Sequence, residues 1–329
     1  MRALLLFLPF AAFAAPCTTP AGCTEWLTLH NGPSRSMVYR TYSMTQRNEN
    51  IRRAFILVHG AGRDADNYFR TAVAAAFLAG ALDDTIVISP RFASNTGGGC
   101  ADKLDANEVN WPCGGDSWRS GGVAVSNKEL TSYDFADEIL RKVANKNVFP
   151  NLRAIVVAGH SAGGQFVTRY EMSNKVHDSL GVPVTYVVSN PSSYAYPEAL
   201  RPSADGKNFT RFGDGRNCTT YDNWPYGMEN RGNGYASKIP DDQLKKQLVS
   251  RPTVYLLGQI DILPLGGFDG SCPAMAQGPT RLARGQAFGA LMTSKYGAKD
   301  HKVVEVELCG HNARCMFTSE TALPIVFPK

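Results

Sequence analysis

Short apolar runs alternate with segments of helical periodicity along most of this chain. The apolar runs are "RRAFILVHG", "DTIVISPRF", "RAIVVAGHS", "PVTYVVSNPS", "RPTVYLLGQID" and "HKVVEVELCGH". Among them, "NYFRTAVAAAFLAGAL" and "TSYDFADEILRKVANKNV" place apolar residues on one helical face. Buried strands separated by helices are typical of a mostly parallel sheet covered by helices on both faces. The sequence therefore predicts an α/β fold, and the alternating "SMVYRTYSMT" predicts one early antiparallel strand.

Two longer segments interrupt this alternation, at about residues 94–128 and 192–250. With 43% hydrophobic and 19% charged residues, the composition is that of a globular protein, and neither segment has the low complexity of a linker. We expect one domain over residues 16–329 that carries both segments as insertions. The second insertion follows the strand predicted at about 184–190.

The N-terminal stretch "MRALLLFLPFAAFAAPC" has the order of a secretory signal: a basic residue, an apolar run, then small residues. The apolar run is too short to span a bilayer. A buried first helix is the alternative. We expect residues 1–15 to be a signal peptide, and the mature protein to be secreted or periplasmic without a stable membrane anchor.

The cysteines agree with export, because an even number in a chain with a signal predicts disulfides. The eight cysteines comprise three pairs that are close in sequence and two remaining residues: Cys17 and Cys23, Cys100 and Cys113, Cys309 and Cys315, then Cys218 and Cys272. Spacing alone does not fix the pairing. The alternative is a zinc site, but C-x-x-C is absent and the histidines do not cluster at ligand spacing. We therefore expect no metal.

The charge balance does not favour a nucleic-acid partner. The chain has 34 basic and 29 acidic residues, a formal net charge of +5, and no run of consecutive Lys and Arg. Nucleic-acid binding needs a concentrated basic surface. The sequence therefore predicts no nucleic-acid partner.

The stretch "IVVAGHSAGGQF" places one serine between an apolar run and a helical segment. Its "GHSAG", residues 159–163, matches G-x-S-x-G. Between a strand and a helix, this motif forms a sharp turn that exposes the serine hydroxyl, and the glycines keep the turn free of Cβ clashes. A plain glycine-rich turn is the alternative. We predict that Ser161 is a nucleophile.

A serine hydroxyl needs a base to take its proton. Of the six histidines, His160 adjoins the serine, His59 belongs to another motif, and His301 precedes a strand. His311 follows the last predicted strand directly, where a loop can reach the carboxyl edge of the sheet. We predict that His311 is the base, the alternative being a histidine of a surface loop.

The base in turn needs a carboxylate to orient it. In a fold of this kind, the acid follows a strand between the serine and the histidine. Asp261 stands just after the strong strand "TVYLLG", and Asp269 in "GGFDG" is the second candidate. The sequence favours Asp261.

An oxyanion-binding loop is indicated by "LVHGAGRDADNYF", which leaves a predicted strand and enters a helix. Backbone N–H groups of such a loop, with the one after the serine, can bind a developing negative oxygen. We predict the N–H groups of Ala61 and Ala162 for this role, with Gly62 as a substitute. A simple strand-to-helix turn is the alternative.

With these motifs in this order, the chain resembles the α/β-hydrolase superfamily, and within it the secreted, lipase-like serine carboxylesterases. The resemblance covers the chain from about Ser36 onward. It departs in the oxyanion motif, "HGAG" in place of "HGGG", which leaves open which N–H group is used. The resemblance implies the α/β-hydrolase fold, Ser161, His311 and Asp261 as the catalytic set, and no metal or organic cofactor.

The function expected from the sequence is hydrolysis of a small-molecule or polymeric carboxylic ester through an acyl-enzyme. Tyr194 and Tyr196, in "PSSYAYP", are predicted to border the substrate pocket, the alternative being that they pack in a core. A peptidase or amidase of the same fold is the alternative enzyme. A binding protein that keeps the fold without catalysis is the alternative outside enzymes.

Overall fold

A central eight-stranded sheet organises the protein, whose computed structural model describes residues 15–114, 117–204, 206, 208–213 and 217–329. Of the predicted signal peptide, residues 1–14 lie outside the described residues. The strands are β1 (Thr24–Thr28), β2 (Arg35–Arg40), β3 (Arg53–Val58), β4 (Thr85–Pro90), β5 (Ala154–His160), β6 (Val184–Ser189), β7 (Leu200–Pro202), β8 (Phe209–Arg211), β9 (Thr253–Gly258) and β10 (His301–Val306). Strands β7 and β8 form a separate antiparallel pair.

The sheet order is β1-β2-β4-β3-β5-β6-β9-β10. Strands β1 and β2 pair antiparallel, as do β2 and β4, and every later pair in the order is parallel. The predicted mostly parallel sheet with an early antiparallel strand is thereby confirmed. The sequence reading missed β1, whose residues show partial burial.

Eight α-helices are described: α1 (Ala65–Leu78), α2 (Ser132–Val143), α3 (Ala162–Ser173), α4 (Asp241–Ser250), α5 (Cys272–Met275), α6 (Arg281–Ala290), α7 (Ala313–Thr318) and α8 (Leu323–Val326). They cover both faces of the sheet, because each strand sends alternate side chains to opposite sides. In β3, Ile56 packs in a core with α2, α3 and α6, whereas Phe55 and Leu57 pack with α1, α7 and α8. Burial on both sides explains why the central strands read as continuous apolar runs.

Helix α2 begins after an N-cap residue, Thr131. The backbone N–H of Asp134 donates to the Thr131 hydroxyl at 3.3 Å, and the Thr131 N–H donates to the Asp134 carboxylate at 2.8 Å. This reciprocal pair satisfies two N–H groups at the helix start.

The two long segments contain locally ordered structure. The first holds a short 3₁₀ turn at Trp118–Ser120, and the second holds β7, β8 and α4.

Four disulfides are formed: Cys17–Cys23, Cys100–Cys113, Cys218–Cys272 and Cys309–Cys315. Within the described residues, no helix is long and apolar enough to cross a membrane.

Candidate active site

Ser161 lies in a tight turn between β5, which ends at His160, and α3, which begins at Ala162. Its backbone has φ 59° and ψ −119°, a strained conformation for a residue with a side chain. The turn is possible because two neighbouring positions lack a Cβ. A Cβ on Gly159 would lie 2.1 Å from the carbonyl oxygen of Gly163, and one on Gly163 would lie 2.2 Å from that of Val58. The strand, helix and glycines together aim the serine away from the sheet.

Three polar side chains meet at the carboxyl edge of the sheet. Nε2 of His311 lies 2.9 Å from the Ser161 hydroxyl oxygen, and Nδ1 of His311 lies 2.7 Å from a carboxylate oxygen of Asp261. Because β5, β9 and β10 are parallel, the residues that follow them emerge at the same edge. The arrangement suits a proton transfer from the serine to an imidazole that donates its other N–H to the carboxylate.

Asp269, the second candidate for the acid, has other partners. Its carboxylate accepts hydrogen bonds from the Tyr226 hydroxyl at 2.8 Å and from the Ser271 N–H at 3.0 Å. The carboxylate that accepts from His311 belongs to Asp261, so the geometry favours the first candidate.

The Asp261 carboxylate is 2% exposed and has a second partner that the sequence reading missed. One of its oxygens accepts from Nη1 of Arg281, the first residue of α6, at 3.3 Å. The guanidinium also donates to the Ser192 hydroxyl at 2.8 Å and to the Leu265 carbonyl at 2.7 Å. Burial lowers the pKa of Arg281, and the charge of Asp261 opposes that shift.

A sequence signal for Arg281 exists in "RLARGQAF". There, Arg281, Arg284 and Phe288 recur at the spacing of one helical face, and all three are buried. Charged residues at core positions of a helix indicate a specific buried partner. The sequence analysis predicts no helix for this segment, so Arg281 is absent from the predicted site.

A cavity of about 530 Å³ opens beside the serine. Ser161 and His311 form part of its wall. Ala61 and Gly62, from the loop after β3, lie on the same wall, and Gly266 belongs to the loop that follows Asp261. A substrate in this cavity would therefore contact the predicted oxyanion loop and the serine together.

The third predicted oxyanion residue, Ala162, is the first residue of α3. The first N–H groups of a helix have no acceptor within the helix, and the helix dipole places positive charge there. Ala162 thus occupies a position suited to binding a negative oxygen, although the oxyanion role of all three residues stays a prediction.

Two further histidines beside the site, His59 and His160, are buried and hydrogen-bonded. Nδ1 of His59 donates to the Gly60 carbonyl at 2.8 Å, and its Nε2 accepts from the Phe92 N–H at 3.3 Å. Nδ1 of His160 lies 3.1 Å from the Tyr68 hydroxyl. Burial lowers the pKa of His59 to about 4 and lowers that of His160 well below its usual range. Both side chains therefore remain neutral near pH 7.

The sequence predicts that Tyr194 and Tyr196 border the substrate pocket. In the structure they lie outside the cavity. Both side chains are fully buried and pack on Phe288 of α6, with ring centroids 4.5 and 5.1 Å away. Among the described residues, neither lines the cavity at Ser161. These contacts with α6, a helix that is absent from the sequence predictions, hold the tyrosines in the core.

The described residues contain no group of three or more His, Cys, Asp and Glu side chains placed to hold a metal ion.

The sequence model that describes the alpha/beta hydrolase family matches residues 55–323 of this chain. The chain therefore belongs to the alpha/beta hydrolase family. No curated protein sequence matches it significantly.

Solved structures share this fold. The chain is 19% identical to LpqC, a poly(3-hydroxybutyrate) depolymerase from Bordetella parapertussis, with a TM-score of 0.64 over 92% of this chain and 90% of the other. It is 21% identical to poly(aspartic acid) hydrolase-1 from Sphingomonas sp. KT-1, with a TM-score of 0.63 over 92% of this chain and 98% of the other. At these identities the likeness shows the fold.

Proposed function

We propose that this protein is an exported serine hydrolase that cleaves carboxylic esters through an acyl-enzyme. The observation that carries the proposal is the hydrogen-bonded series from Ser161 through His311 to Asp261, at 2.9 and 2.7 Å. Such a series gives a serine hydroxyl a base at one end and gives that base an orienting carboxylate at the other.

In the proposed reaction, the Ser161 oxygen attacks the acyl carbonyl while its proton passes to Nε2 of His311. The negative oxygen is bound by the N–H groups of Ala61 and Ala162, with Gly62 as a substitute; one such donor is worth about 3 kcal/mol. His311 then protonates the departing alcohol, which leaves an acyl-enzyme. Water, deprotonated by His311, attacks the acyl-enzyme; the bond from the acyl group to the Ser161 oxygen breaks, His311 returns the proton to that oxygen, and the acid is released.

Apolar side chains beside the cavity support an ester with an apolar portion. Ile262, Leu263 and Leu265 are 51%, 58% and 62% exposed, on the loop that follows Asp261. The next residues of this loop, Gly266 and Gly267, line the cavity. A small ester fits within the cavity, whereas a polymeric ester would extend across these side chains.

Export is supported by the cysteines. Among the described residues no cysteine is free, and disulfides persist mainly in oxidising compartments. We propose that residues 1–15 are removed as a signal peptide, that residues 16–329 form one domain, and that the mature protein acts outside the cytoplasm.

The alternative enzyme class is a peptidase or amidase, because the same three side chains can attack an amide. Of the two structural neighbours above, one is named as a poly(3-hydroxybutyrate) depolymerase and the second as a poly(aspartic acid) hydrolase. These names guide the choice of substrates to test. The remaining alternative is a binding protein that keeps the fold without catalysis.

The test has two parts. A fluorophosphonate probe should label the purified protein stoichiometrically at Ser161, and an unlabelled native protein would contradict any serine hydrolase. A series of p-nitrophenyl esters of increasing chain length, run beside aminoacyl anilides and the two polymers, then separates the classes. Turnover of anilides or poly(aspartic acid) without turnover of esters would replace the ester proposal by the amide alternative.

A further inference from the structure

Two arginines of α6 are buried beside the loop that carries Asp261. The side chains of Arg281 and Arg284 are both fully buried, one helical turn apart. Both guanidinium groups lie over the ring of Phe268, at 5.3 and 4.4 Å from its centroid. A buried guanidinium is retained only where its charge and its N–H groups have partners, so the partners indicate what each arginine does.

Of the two arginines, Arg281 donates to a carboxylate and Arg284 does not. Arg284 donates to main-chain carbonyl oxygens, those of Gly278 at 2.8 Å and Asp269 at 2.9 Å among them. Arg281 donates to the Leu265 and Gly266 carbonyls at 2.7 and 3.0 Å, and also to the Asp261 carboxylate. Arg284 therefore ties the loop to the helix, whereas Arg281 also places a positive charge against Asp261.

We propose that Arg281 is a positioning residue for the hydrolysis proposed above: it fixes the Asp261 carboxylate and places a buried positive charge against the Asp261–His311 pair. This inference rests on the proposed function. The guanidinium donates to the carboxylate and to carbonyl oxygens of the following loop through separate N–H groups. Its planar shape holds these donors in fixed directions. The carboxylate cannot turn away from His311 without breaking one of these bonds.

The loop that Arg281 holds also bears on the imidazole. A Cβ on Gly266 would lie 3.0 Å from Cδ2 of His311, so the loop backbone passes directly beside the ring. Leu282 N–H donates to the Asp261 carbonyl at 3.4 Å, which joins the start of α6 to the same loop. Arg281 thus constrains the acid directly and limits the space of the base.

The net charge of Asp261 and His311 together decides how the Arg281 charge affects their proton binding. Protonation makes the Asp261–His311 pair neutral, and loss of that proton leaves it with one negative charge. A buried cation beside the pair stabilises the negative form, so removing the cation makes the pair hold its proton more tightly. Among the described residues of the cavity wall, the other charged or titratable groups are His160, whose ring is 4.6 Å from that of His311, and Tyr68, Asp64 and Arg314.

The experiment measures the rate of fluorophosphonate labelling of Ser161 as a function of pH, together with ester kcat, KM and melting temperature. In Arg281→Gln, we expect the rise of the labelling rate with pH to move upward by about one pH unit. We also expect kcat to fall on the order of 10²-fold with a smaller change in KM. Arg281→Lys keeps the charge but not the fork, so it should restore the position of the rise while kcat stays reduced.

Arg284→Gln is the matched control, because it removes an equally buried guanidinium from the same helix and loop without touching Asp261. It should lower the melting temperature by a similar amount and leave the pH profile in place. If Arg281→Gln and Arg284→Gln give the same profile as the native protein, or shift it equally, Arg281 has a structural role only and the inference is wrong.

Failure of the proposed function gives a different result. If the native protein is labelled but turns over no ester, the ester assignment is wrong, and the pH profile of labelling still tests Arg281. If the native protein is not labelled at any pH, the serine hydrolase proposal is wrong and the inference is overturned with it.

Discussion

Nε2 of His311 lies 2.9 Å from the hydroxyl oxygen of Ser161, although 150 positions separate the two residues in the chain. The two are neighbours because β5 and β10 belong to one sheet and run in the same direction, so the residues after both strands emerge at one edge.

Replacing the serine removes the proposed nucleophile and little else. Ser161→Ala should lower ester kcat on the order of 10⁴-fold or more, because other triads lose this much without their serine. Ser161 is 8% exposed and its small side chain lines the cavity, so the melting temperature should change little. Steady-state kinetics and a thermal melt of the variant check both parts. Near-native turnover would contradict the assignment.

Two aspartates on one loop give a matched comparison. Asp261→Asn should leave the protein folded and reduce kcat on the order of 10⁴-fold, because an amide no longer fixes the imidazole tautomer that accepts the serine proton. Asp269→Asn should reduce kcat far less, since Asp269 bonds to Tyr226 and Ser271. The measurement is kcat for both variants at one pH. A larger loss in Asp269→Asn would reverse the assignment of the acid.

The Cys309–Cys315 disulfide closes a short loop that carries His311, and Cys17–Cys23 closes a loop with the same separation of 6. Chain entropy assigns each loop about 2 kcal/mol, so removing either disulfide should lower the melting temperature by a similar amount. The Cys309→Ser, Cys315→Ser variant should also lose activity, by up to about 10²-fold, because misplacement of an imidazole by about 1 Å is costly.

The Cys17→Ser, Cys23→Ser variant is its control and should keep its activity. Peptide mapping of the non-reduced protein first checks that the two bonds exist. Equal activity in the two double variants would mean that the bond beside His311 only holds the C-terminal segment together.

His59 predicts how stability depends on pH. Burial lowers its pKa from 6.5 to about 4, so the unfolded chain takes up a proton at a higher pH than the folded protein does. Its contribution to stability is complete above about pH 6.5 and is lost as the pH falls towards 4, where the loss reaches about 3 kcal/mol. Protonation of Nε2 would also break the bond from the Phe92 N–H.

The measurement is the free energy of unfolding of the native protein and of His59→Gln, by urea denaturation at pH 7 and pH 4. Other titrating groups are common to both proteins, so the native advantage should shrink by about 3 kcal/mol at the lower pH. A difference that does not change with pH would show that His59 is not held neutral in the folded protein.

Local patterns in the sequence determined the central strands, several helices and the serine turn. The central strands are buried on both faces, so their apolar runs are visible without knowledge of their neighbours. The turn at Ser161 depends on glycines two positions to either side, at Gly159 and Gly163, which makes it readable from "GHSAG". His311 was found because it follows the last strand, and the direction of a parallel strand fixes the edge where it ends.

Only the tertiary structure decided which distant side chains meet. Asp261 and Asp269 lie on one loop. The path of that loop places the Asp261 carboxylate against His311 and the Asp269 carboxylate against Tyr226. Tyr194 and Tyr196 have a polar group and an aromatic body, which suits a pocket wall or a core equally well. Their burial on α6 and the pairing of Arg281 with Asp261 depend on how that helix docks, and docking is set by contacts between segments far apart in the sequence.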